Sequence, residues 1–134
     1  MVGPDAEAEG LVRAAGDLFR ATARLDVPTG TIVTRRGFGL GAQAMAAGGF
    51  HEPRFTVAWP NSEFGPMGLE GAVRLGFRKE LEAISDPAER QTELERRVEE
   101  MAKAGSGINV AMAFEIDDVI DPADSRRWIT NLLL

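Results

Sequence analysis

The segment with the clearest chemical content is Arg35-Arg36-Gly37-Phe38-Gly39-Leu40-Gly41-Ala42, which lies between a β-branched run and a small-residue stretch. Glycines permit positive φ and close backbone approach. A helix that starts on them presents N–H groups without an intrahelical acceptor. Such a turn can hold a phosphate, or a carbonyl oxygen that gains negative charge. The spacing Gly37-x-Gly39-x-Gly41 does not match G-x-G-x-x-G, and no lysine-serine or lysine-threonine pair follows, which argues against a nucleotide loop. The same glycines serve a plain strand-to-helix connection equally well.

Other side chains offer weaker chemistry. His51 is the only histidine, and it follows Gly48-Gly49 in a loop. A base near neutrality is one role for it, and a surface position is the plainer one. Arg35 and Arg36 could attract the phosphates of a ligand or simply reach solvent. Glu63 reads as an acid at a helix start, and Trp59 as a core or interface anchor. Asp117, Asp118 and Asp121 lack the spacing of a metal site, so no metal is assigned. Asp121 reads as a helix cap.

Elements to position the turn follow from periodicity. Asp5 to Leu25 carries a helical stripe through Leu11, Ala14, Ala15, Leu18, Phe19 and Thr22, with Asp5 as N-cap and Gly10 and Gly16 as weak points. Thr29 to Thr34 predicts a strand, and Gln43 to Ala47 a short helix after the turn. Arg54 to Trp59 predicts a second strand, stopped by Pro60. Asn61 or Ser62 caps a turn, and Met67 to Ile84 reads as largely helical. Asp86-Pro87-Ala88-Glu89 has the pattern of a helix start, and Ala104-Gly105-Ser106-Gly107 ends that helix. Val119-Ile120 predicts a short strand, and Asp121-Pro122 opens a last helix with Trp128, Ile129, Leu132 and Leu133. Alternating helices and strands imply one α/β layered domain over residues 1–134.

Composition narrows the classes. The chain has 134 residues, 44% hydrophobic and 27% charged, which suits one globular domain. A net charge of -6 gives no basic footprint for nucleic acid. Without cysteine there is no disulfide, thiolate site or cysteine nucleophile, which is compatible with a cytoplasmic home. No apolar stretch approaches the ~20 residues of a spanning helix. The start Met1-Val2-Gly3-Pro4-Asp5 does not resemble a secretion signal.

Several segments, in order, resemble the carboxyltransferase (beta) subunits of biotin-dependent acyl-CoA carboxylases. Thr31-Ile-Val-Thr-Arg-Arg-Gly-Phe-Gly-Leu-Gly-Ala-Gln-Ala-Met45 is similar to that family's apolar strand, Arg-Lys, aromatic, Gly-Gly-Ala and later methionine. Ala58-Trp-Pro-Asn-Ser-Glu63 resembles Ala-Trp-Pro-Thr-Ala-Glu, and Met67-Gly-Leu-Glu-Gly-Ala-Val73 resembles Met-Gly-x-x-Gly-Ala-Val. Arg78-Lys79-Glu80-Leu81, Ile116-Asp-Asp-Val-Ile-Asp-Pro-Ala123 and Arg126 also fit.

The resemblance implies a partial crotonase-like spiral α/β fold, the C-terminal part of the C-terminal carboxyltransferase domain. It implies transfer of a carboxyl group from carboxybiotin to the α-carbon of an acyl-CoA. The N–H groups of Leu40 and Gly41 would serve the biotin ureido oxygen, within a cofactor-binding turn of Gly39, Leu40, Gly41 and Ala42. Gln43 falls where the family varies its residue with acyl-chain preference. The implied partners are acyl-CoA, a biotin carboxyl carrier or biotin carboxylase subunit, and the N-terminal carboxyltransferase half; sheet edge and apolar helix faces left open by a missing half are expected to drive self-association into a homo-oligomer. Two departures stand out. Leu40 and Gly41 replace glycine and alanine, and a left-handed backbone at Leu40 would be strained. The acyl-CoA oxyanion turn has no counterpart here, so the chain is expected to be inactive alone. A crotonase-like hydratase or isomerase, and a non-catalytic assembly module, are the rival readings.

Overall fold

A computed structural model describes residues 3–132. Two parallel sheets carry the architecture. The larger has the order β1 (Gly30–Val33), β3 (Phe55–Ala58), β5 (Asp118–Val119), and the smaller pairs β2 (Arg36–Phe38) with β4 (Glu63–Gly65). Strand β3 is buried at every position, as a central parallel strand covered on both faces should be. Phe55 and Val57 meet Ile120, with Trp128 and Leu132 packed beside them. Ala58 faces a second cluster of Val33, Phe64 and Ile116, flanked by Phe50.

Helices enclose these sheets. They are α1 (Pro4–Ala8), α2 (Leu11–Thr22), α3 (Gly39–Met45), α4 (Leu69–Gly76), α5 (Arg78–Glu82), α6 (Pro87–Ala104), α7 (Gly107–Met112) and α8 (Ser125–Leu132), the last preceded by a 3-10 turn at Pro122–Asp124. Val73 of α4, Leu81 of α5 and Leu94 of α6 form a third cluster. The outer side of α6 carries ion pairs: hydrogen bonds from Arg96 and then Arg97 hold the Glu93 carboxyl down at about 2. No helix among the described residues is long and apolar enough to cross a membrane.

Several sequence expectations change. The first helix divides at Gly10, whose φ of 87° is left-handed and incompatible with a continuous helix. Its N-cap is Gly3, and Asp5 lies inside the first turn. The helix expected over Met67–Ile84 divides at Phe77. Glu63 belongs to strand β4 rather than a helix start. Leu133, expected in the last helix, lies outside the described residues. Asp86 does cap α6, its carboxylate accepting from Ala88 N–H at 2.7 Å, with Pro87 at the first helical position.

Among the described residues, one buried side-chain polar atom is unsatisfied. Ser62 is 2% exposed, and its Oγ has no hydrogen-bond partner among the described residues. This serine stands where the resembling family has alanine. Burying a hydroxyl without a partner costs about 1–3 kcal/mol, whereas removing it leaves nothing unpaired. Ser62→Ala is therefore expected to raise stability by roughly 1 kcal/mol. Urea unfolding should show a higher midpoint at unchanged m-value. A lower midpoint would mean that the hydroxyl makes a bond.

Candidate functional site

Strand β2 runs directly into α3, so the turn is shorter than its sequence suggests. Gly37 and Phe38 are strand residues, and Gly39 is already the first residue of α3. Leu40, Gly41 and Ala42 thus sit in the first helical turn, not in a loop before it. By helix geometry, Ala42 N–H is the first with an intrahelical acceptor, the Phe38 carbonyl. The N–H groups of Gly39, Leu40 and Gly41 precede it. Among the described residues, no side chain caps this end.

The left-handed residue is Gly39, with φ of 62°. Leu40 has no positive φ, so the leucine in place of glycine carries no backbone strain there. Gly39 is also confined: a Cβ on it would stand 2.8 Å from the Pro66 carbonyl oxygen. Gly41 is the opposite case, with nothing within 4 Å of where its Cβ would be. Leu40 is 56% exposed, and Gly41 and Gln43 are exposed as well. The first turn of α3 is therefore accessible to a ligand.

Two clefts flank α3. One, of about 480 Å³, brings together Gly39, Leu40 and Gln43 with Phe50, Phe64 and Pro66. The other, of about 320 Å³, is lined by Gly41, Ala42 and Met45 with Phe50 and the β1–β2 segment. A larger cleft of about 590 Å³ lies elsewhere, beside the α2–β1 connection, and contains none of these residues.

The remaining candidates separate from the turn. His51 Nε2 lies 3.4 Å from Glu115 Oε2, and both side chains are exposed. Sequence reasoning missed Glu115, which lines the Leu40 cleft. It follows Phe114 at the end of α7 and carries no local motif. Arg36 Nε is 3.7 Å from Glu63 Oε2. Trp59 is an anchor: its Nε1–H donates to Ser125 Oγ at 3.0 Å. Each aspartate of the acidic group engages backbone. Asp117 Oδ2 accepts from Thr56 N–H at 2.7 Å. Asp118 Oδ1 and Asp121 Oδ1 each accept at 2.8 Å, from Val119 and Ala123 N–H.

Known proteins share this fold. The fold is the crotonase-like α/β fold of carboxyltransferases. The carboxyl transferase domain family matches residues 1–133, and the chain belongs to that family. It is 37% identical over 132 residues to the carboxyltransferase subunit of propionyl-CoA carboxylase from Haloferax mediterranei, covering 97% of this chain and 25% of the relative. It is 36% identical to the methylmalonyl-CoA carboxyltransferase 12S subunit of Propionibacterium freudenreichii subsp. shermanii, covering 98% and 24%. Among solved structures, a single-chain, multi-domain long-chain acyl-CoA carboxylase matches with a TM-score of 0.86 and 55% identity, over 98% of this chain and 13% of that one. The transcarboxylase 12S hexamer matches with a TM-score of 0.81 and 33% identity, over 99% and 25%. The chain thus spans about a quarter of the length of the curated relatives it matches.

Proposed function

We propose that this chain forms the biotin side of the reaction centre of an acyl-CoA carboxylase carboxyltransferase. The observation that supports this best is the uncapped, accessible first turn of α3 behind a left-handed Gly39. The relatives include subunits described as biotin-dependent carboxylase components. The residues present suit the cofactor's ureido group. Open space over Gly41 admits a ring, and the donors of Leu40 and Gly41 are adjacent. When bound, carboxybiotin supplies the carboxyl group, and its ureido oxygen takes up negative charge as that group leaves.

Leu40 and Gly41 donate their backbone N–H groups to that oxygen. Held by helix geometry, they need no reorganisation as charge develops, which favours the transition state over the ground state. Gly39 supplies the left-handed bend, and Ala42 closes the turn with the first helical hydrogen bond. Gln43, one helical turn on, lines the Leu40 cleft, and in this reading it contacts the acyl chain of the substrate.

The N-terminal carboxyltransferase half would bring the acyl-CoA thioester and its own oxyanion donors. A carrier domain would deliver the biotin, and a cytoplasmic setting suits these partners. The chain alone is expected to give no transfer with a carboxybiotin analogue and acyl-CoA. Assembly with a crotonase-like first domain is expected to restore biotin-dependent carboxylation. Turnover by the chain alone would overturn the division of labour. An assembled enzyme without activity would overturn the assignment itself.

Assembly also has support of its own. Met45, Met112 and Phe114 are at least 72% exposed. Such apolar surface favours association. Light scattering at micromolar concentration should show an oligomer, and a monomeric mass would argue against it.

A further inference from the structure

Strand β4 is held by backbone along both edges. On one side it pairs with β2, Gly37 beside Phe64 and Phe38 beside Gly65. On the other side lies the joint between α6 and α7. Phe64 N–H donates to the Gly105 carbonyl at 2.7 Å, and Gly107 N–H donates to the Ser62 carbonyl at 3.0 Å. Glu63 and Ser106 form an antiparallel bridge between them.

Glycine at this joint is not required by backbone conformation. Gly105 has φ of -86°, and Gly107 is not among the residues with positive φ. Proximity requires it instead. A Cβ on Gly105 would overlap the Phe64 carbonyl oxygen, and one on Gly107 would overlap Ser62 Oγ. Strand β4 then leads into Pro66, whose carbonyl oxygen bounds the space beside Gly39. Joint, β4 and left-handed Gly39 are therefore in contact in series.

We propose that Gly105 and Gly107 are positioning residues for the turn at Gly39–Ala42. Their lack of side chains lets the joint close onto β4. That closure sets where Gly65 and Pro66 stand against Gly39, and so the direction of the Leu40 and Gly41 N–H groups. The consequence for catalysis rests on the biotin reading of the turn; the positional claim rests on the contacts alone.

The test follows backbone amide resonances of the isotopically labelled full chain, alongside thermal unfolding. Gly105→Ala and Gly107→Ala are expected to move the Leu40 and Gly41 resonances and to speed exchange of Ala42 N–H about tenfold. In Gly107→Ala the obstacle is one hydroxyl, and the next atoms are 3.5 Å away. Combining it with Ser62→Ala should return the turn resonances to their positions in the Ser62→Ala protein. Gly76→Ala, at a site with nothing within 4 Å, should leave the turn unmoved. If Gly105→Ala does not fold, Gly107→Ala and its pairing with Ser62→Ala decide the matter. Folded variants that melt earlier but keep the turn resonances in place would show a merely structural role and overturn the proposal. So would a failure of Ser62→Ala to restore them. Moved resonances in an enzyme whose rate ignores Leu40 would leave the positioning intact and remove only the biotin reading.

Discussion

Replacing Leu40 with proline is expected to lower biotin-dependent carboxyl transfer by roughly 10²–10³-fold, the usual loss for one oxyanion donor. The measurement uses the chain assembled with a carboxyltransferase first domain and a biotinylated carrier. Proline removes the N–H at position 40 without removing a helical hydrogen bond, because that N–H precedes the first intrahelical bond of α3. Proline is tolerated in the first helical turn for the same reason. The preceding residue is restricted by proline, but glycine at position 39 has the widest choice of backbone angles. Leu40→Ala is the necessary companion. It keeps the N–H and removes only side chain, so its rate should stay within a few-fold of the parent. The loss in Leu40→Pro should fall mainly on kcat, since the charge it stabilises develops in the transition state. A folded Leu40→Pro enzyme with near-parental kcat would remove the donor role.

Leucine at position 40 also shows how far sequence reasoning reaches. Three glycines at alternating positions are equivalent on paper, and nothing local says which is left-handed. The choice of Gly39 is made by Pro66, more than twenty residues away, whose carbonyl leaves room for no Cβ there. Once that is known, the leucine ceases to be anomalous. Strands β2 and β4 were illegible for a related reason. Each has three residues, too short for alternation to register, and each is a strand only because the other pairs with it. Helix α7 was lost behind Gly105-Ser106-Gly107, which read as a helix end but also begins a helix, with Ser106 as its N-cap.

Local signals are more legible. Asp86-Pro87 and Asp121-Pro122 place a capping carboxylate and a φ-restricted residue side by side, and both start helical turns. The apolar run Phe55–Ala58 gave a strand because a parallel strand buried on both faces needs no alternation. The turn at Gly39–Ala42 lies between these cases. Its glycines suit exposed backbone donors or a plain connection, the ordered motifs along the chain point to the family, and the contact with Pro66 singles out Gly39 as the confined position.

Gly39 and Gly41, two residues apart on α3, should respond to alanine with opposite signs. At Gly39 the φ of 62° places any L side chain in the left-handed region, which costs about 1–2 kcal/mol by itself. The added Cβ also stands 2.8 Å from the Pro66 carbonyl oxygen. Backbone carbonyls do not swing aside as side-chain ends do, so α3 or the β4–α4 connection must shift. Gly39→Ala should therefore lose more than the backbone term alone, read as a lower urea midpoint, and should displace the donor turn. Gly41 has helical surroundings, no positive φ and open space at its Cβ position. Alanine there gains part of the about 0.8–1 kcal/mol by which it exceeds glycine in a helix interior. Gly41→Ala should thus raise the midpoint and keep its N–H donor, and alanine is the residue the resembling family carries at this position. Should both substitutions destabilise alike, the left-handed bend would not be localised at Gly39. The proposal that Leu40 and Gly41 act as donors would then lose the left-handed start of α3 from which it is argued.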